Sequence, residues 1–164
     1  YVLTAAAQSG GMLEAFDAAT LVKCVERAYN GSYFGRREGN NSANFAETKI
    51  IVCPPLLETL VIELGRTGSP EGLPILKSIL EKKRYPQGRA EAAIALGSIT
   101  GKDSDAALID ALDDKDGWVR YCAYKSLLLH SKKDNFCDWI FGDNQIRSKP
   151  YAAYQAWFKE TYPK

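Results

Sequence analysis

Residues 89–128 read RAEAAIALGSITGKDSDAALIDALDDKDGWVRYCAYKSLL, and the fold is decided in this stretch. Arg89 is followed by Ala92 and Leu96, and thirty-one positions on Arg120 is followed by Ala123 and Leu127. Between the two sets, Leu108, Ile109, Ala111 and Leu112 recur at spacings of three and four, which is one face of a helix. Gly101-Lys102-Asp103 precedes that helix, and Asp103 or Ser104 offers the capping oxygen that would start it. Asp113-Asp114-Lys115-Asp116-Gly117 is polar and turn-forming, as a tight link between two helices requires.

Outward from this stretch the pattern repeats. Leu96-Gly97 is preceded thirty-two positions earlier by Leu64-Gly65. After that earlier pair, Ser69-Pro70 supplies a cap and a first turn, and Leu73, Leu76, Ile79 and Leu80 supply an apolar face. Lys149 and Ala152 echo the arginine–alanine pair a third time. A helix–turn–helix unit of this size cannot bury its apolar faces alone, so copies must stack into a quasi-one-dimensional solenoid. Small residues at Ala90, Ala92, Ala93 and Ala95 allow stacked helices to approach closely. The expected architecture is therefore all-α, an α-solenoid of about four antiparallel helix pairs in one domain, residues 1–164. The expected helices are at about 12–29 and 54–67, 70–84 and 86–100, 103–113 and 116–131, and 133–142 and 148–161.

The segment from Asp105 to Asp114 (DAALIDALDD), with Trp118-Val119-Arg120, Ala123 and Leu127 and with Leu96-Gly97 closing the preceding unit, resembles the PBS-lyase type of HEAT repeat. The resemblance extends over roughly residues 54–161 and is clearest at 89–128. It implies that the second-helix arginines Arg89 and Arg120 support packing between repeats, Arg120 with Asp113, Asp114 or Asp116 as partner. It also implies a non-catalytic protein-interaction scaffold or accessory subunit, since most members are scaffolds despite the name. The alternative is a bilin-lyase-like enzyme or chaperone that handles a chromophore.

Composition narrows the function. Twenty-one Lys+Arg against twenty Asp+Glu leave a net charge of +1, without the basic excess of a phosphate-neutralising protein, so nucleic acid is not an expected partner. No run of about 18 apolar residues occurs, so no membrane span is expected. Cys24, Cys53, Cys122 and Cys137 form no CxxC and no Cys/His pair at ligand spacing, which argues against a structural metal, and no cofactor is expected. They read as buried thiols, or alternatively Cys24 and Cys53 form a disulfide across the irregular segment they bracket. The even cysteine count and the tyrosines favour an exported protein over a cytoplasmic one.

Two surfaces are candidates for a protein partner. The insertion at about 30–52 breaks the rule that repeat links are short, and its Tyr33, Phe34, Arg36 and Arg37 are of the types that dominate binding energy. The second is the inner face made by the later helix of each pair, where Tyr121, Tyr124, Lys125 and Tyr154 cluster opposite the core positions Val119, Cys122, Ala123, Ser126 and Leu127. The competing reading is that these rings pack between helices. Trp157 and Phe158 are expected to seal the last repeat. His130, the only histidine, stands near a helix end, where it is expected to meet free carbonyls and take no part in catalysis.

Overall fold

The computed structural model describes residues 16–29, 54–81, 86–132 and 144–163. Its helices are α1 (Ala18–Tyr29), α2 (Pro54–Thr67), α3 (Leu73–Glu81, entered through a 3-10 turn at Pro70–Gly72), α4 (Pro86–Leu96), α5 (Lys102–Ala111), α6 (Gly117–Ser131) and α7 (Asn144–Thr161). There is no strand among the described residues. The helix expected at 133–142 lies outside them, as does the insertion at 30–52.

Helices α1 and α6, and the 3-10 turn before α3, begin where a side chain accepts from free N–H groups. Asp17 Oδ1 accepts from the Thr20 N–H at 2.7 Å and starts α1. Ser69 Oγ accepts from the Glu71 N–H, with Pro70 in the first turn. Asp116 Oδ1 accepts from the N–H groups of Trp118 and Val119 and starts α6. The start of α5 differs from the sequence expectation. Gly101 occupies the cap position without a side-chain bond, and Asp103 and Asp105 both fall inside the first turn. The Ser104 hydroxyl instead donates to the Leu96 carbonyl at 2.9 Å, tying α5 to the end of α4. The Leu96 carbonyl, which also accepts from the Ile99 N–H, takes the hydroxyl as a second donor.

Helices α2, α4 and α6 pack one on the next and form an inner row, while α3 packs on α4 and on α5, and α5 packs on α6. At one end α1 lies against α2 and α3, burying Leu21, Val25 and Ala28 at helical spacing. At the other, α7 packs on α5 and presents Tyr154 and Trp157 as buried rings. Trp157 meets Tyr154 edge-on, and Phe158, half-buried, packs on Tyr162.

The recurring Leu-Gly pair acquires a physical cause here. Leu64 and Leu96 are fully buried. A Cβ on Gly65 would stand 2.7 Å from both Cα and Cβ of Ala95, and one on Gly97 would stand 2.6 Å from Ser126 Oγ. Both glycines therefore mark the crossing of one inner helix over the next. The Ser126 hydroxyl fastens the second crossing by donating to the Ala93 carbonyl at 2.8 Å. In an exposed helix Gly→Ala stabilises by about 1 kcal/mol. At Gly65 the sign is expected to reverse, with a loss of about 1–3 kcal/mol in urea denaturation, because the α4 backbone has to move. An unchanged or raised midpoint would show that the crossing is slack.

Candidate functional site

Four charged or polar groups hold adjacent repeats together. The Arg89 guanidinium, on α4 and 1% exposed, grips the Asp114 carboxylate with two parallel bonds of 2.8 Å, from Nε and Nη2. Asp114 Oδ1 also accepts from the Asp116 N–H at 2.8 Å, which shapes the turn before α6. Arg120 Nη1 donates to the backbone carbonyls of Asp114 and Lys115. Asp114 thus serves two arginines, its side chain for one repeat and its carbonyl for the next. The resemblance implied an acidic partner for Arg120 from this turn; of those carboxylates, that of Asp114 is bonded to Arg89.

The lone histidine closes a second junction. His130 Nε2 lies 2.9 Å from the Gly97 carbonyl, and Nδ1 lies 2.5 Å from Asp105 Oδ1. The Tyr162 hydroxyl donates to the other Asp105 oxygen at 2.7 Å. Gly97, Asp105, His130 and Tyr162 join the ends of α4, α6 and α7 to the start of α5. Burial and the Asp105 bond push the Tyr162 phenol up to about 12. His130 is structural, as expected, although the carbonyl it meets belongs to the preceding repeat.

The inner face must be revised. Tyr124 and Tyr154 are 2% and 3% exposed, and their rings meet edge-on at 6.4 Å, so α6 and α7 bury them against each other. Helix α6 is covered by α4, by α5 and by Tyr154 of α7, which leaves only a narrow stripe open. Along that stripe stand Trp118, Tyr121, Lys125 and Leu129. The Trp118 and Tyr121 rings stack at 5.3 Å and 19°. Trp118 is 50% exposed, Leu129 71%, and Ile94 on the neighbouring α4 46%. The repeat offset puts Ile62, Ile94 and Lys125 at equivalent places on α2, α4 and α6, and all three are exposed. Trp118, Ile62 and Leu129 are not among the binding residues expected from the sequence; spacing of three and four from Tyr121 finds Trp118 and Lys125, and the offset finds Ile62.

Other expected residues divide differently. Tyr33, Phe34, Arg36 and Arg37 lie outside the described residues. So does Cys53; Cys24 is a half-buried free thiol, and Cys122 is a buried one that burial pushes up to about 11. Among the described residues, no group of three His, Cys, Asp or Glu side chains converges as a metal site would require. No helix among them is long and apolar enough to cross a membrane.

The inner helices cross at glycine, are backed by outer helices, and are tied by the buried Arg89 to the turn before α6. Over residues 53–128 the chain matches the model for HEAT repeats. These residues are similar to HEAT repeats. The match covers α2 to most of α6, which are the helices that form the inner row and carry the exposed stripe. No curated protein and no solved structure matches the chain. In the HEAT segment the first helices, α3 and α5, supply backing, and the second helices supply the open face.

Proposed function

We propose that the protein is a non-catalytic binding module whose α2–α4–α6 face docks a protein partner. The observation that carries this reading is the stacked Trp118–Tyr121 pair, with Trp118 half open to solvent, on a face that also exposes Ile94 and Leu129. A tryptophan costs little conformational entropy when it binds, and contiguous exposed apolar residues on a protein surface mark interaction sites. HEAT repeats generally serve protein–protein interaction, which supports the same conclusion. The finer likeness to the PBS-lyase type is part of this reading as architecture alone, and lyase activity is not.

Affinity capture with cross-linking from native extract tests it, with wild type run against Trp118→Ala/Ile94→Asp and against a chain whose 31–50 segment is a Gly/Ser linker. The expected result is a stoichiometric partner cross-linked to α4 or α6 and lost with the Trp118 variant. Loss only with the linker variant would transfer the site to Tyr33, Phe34, Arg36 and Arg37. A visible absorption band in the natively purified protein would favour chromophore handling instead.

A further inference from the structure

The docking face is not uniform in charge. Glu58 on α2 and Glu91 on α4 are both half-buried, and neither has a basic partner among the described residues. Glu91 Oε1 accepts from Gln87 Nε2 at 2.9 Å, a bond within α4 that leaves its charge uncompensated. Burial pushes the Glu91 carboxyl up from its ordinary value and the charge of Glu58 adds to this, while the Gln87 bond opposes it. The Glu91 charge is also felt at Cys122, one turn beyond Trp118 on α6. The two carboxylates and the stacked rings therefore occupy the same end of the face. Lys125 stands a turn further along, and Arg66 is held by Glu63 at 2.8 Å.

We propose that the partner presents an arginine or lysine to this end, its cation laid on Trp118 and Tyr121 and directed to Glu91 and Glu58, with an aliphatic neighbour on Ile94. The inference rests on the docking face proposed above. An exposed indole attracts a cation through its face, and a partly desolvated carboxylate gains most from a partner that brings positive charge. The acidic pair also disfavours an acidic segment, so it selects as well as binds. Inner helices about 9 Å apart set a span of about 20 Å across three of them, which is roughly six extended residues.

The test is selection from a displayed library of random segments, each about 12 residues long and so able to cross the face, on the full chain. Wild type is expected to enrich arginine and lysine next to aliphatic residues, and the selected segments to bind about tenfold more weakly to Trp118→Ala and to Glu58→Gln/Glu91→Gln. Their affinity should fall as salt is raised. Absence of cation enrichment, or enrichment that survives Glu58→Gln/Glu91→Gln, overturns the inference. If neutral segments are selected and are still lost with Trp118→Ala, the docking face stands and only its charge preference falls. If segments bind regardless of Trp118→Ala, the face itself falls. Circular dichroism melts confirm that each variant is folded.

Discussion

Asp114→Ala is expected to lower folding stability by about 3–5 kcal/mol, a large fraction of what an ordinary domain possesses. The reason lies in what is left behind. Arg89 is buried, and both of its bonds to a carboxylate go to Asp114. Its Nη1 is already buried without an acceptor among the described residues. Remove Asp114 and an always-charged guanidinium stands in the interior with neither water nor a counter-charge. The Asp116 N–H loses its acceptor as well, so the turn that launches α6 loosens. Urea denaturation checks the magnitude, and the double variant Arg89→Met/Asp114→Asn separates pairing from packing. Removing both charges should cost far less than removing Asp114 alone, because no buried charge is orphaned. If the double variant is as unstable as Asp114→Ala, the clamp acts through shape and not through charge.

The second large effect is pH-dependent. Both His130 ring nitrogens face oxygens that can only accept, a carboxylate and a backbone carbonyl, so the arrangement is fully satisfied by the imidazolium. The hydrogen bond to Asp105 raises its pKa above the ordinary 6.5; burial opposes this, and the Gly97 carbonyl and the Asp105 charge add to the rise. The folded-state pKa thus exceeds the unfolded one. The stabilisation is complete below the unfolded value and is lost as the pH rises through the folded value. Wild-type stability should therefore fall as the pH rises above the ordinary histidine value of 6.5. His130→Gln should be about 3 kcal/mol less stable at the acid end and nearly flat over that window, since it leaves the buried Asp105 without its cation. Staying below about pH 8 keeps the Cys122 thiol out of the measurement, because its unfolded form, with an ordinary value of 9.0, is mostly protonated there. A wild-type profile parallel to that of His130→Gln would mean the ring is neutral in the folded protein.

Much of the fold was legible in the chain because its signals are local and repeated. Leu64-Gly65 and Leu96-Gly97, the alanines of α4 and the Asp113–Gly117 link each state a periodic requirement that one sequence can display. Helix ends were legible where a side chain caps its own helix, as Ser69 does. They were misread where a side chain serves another helix, as Ser104 does for Leu96. The binding face was half legible. Lys125 and Tyr121 were placed correctly on the open side of α6, whereas Tyr124 and Tyr154 were not, since amphipathic spacing assumes one buried side and α6 has more than one.

The sequence by itself therefore determined that this is a stack of helices with a recurring Leu-Gly pair, and which arginines lie at the repeat junctions. Periodicity fixes these, because each repeat must satisfy the same packing conditions as the last. Only the tertiary structure decided that Arg89 and not Arg120 takes the Asp114 carboxylate, that His130 bridges two repeats through Asp105, and that Trp118 with Ile94 is the face left open. Those outcomes depend on which of several chemically equivalent partners arrives within bonding distance and on how many sides of a helix are covered. Both are properties of three-dimensional neighbours that spacing along a chain does not encode.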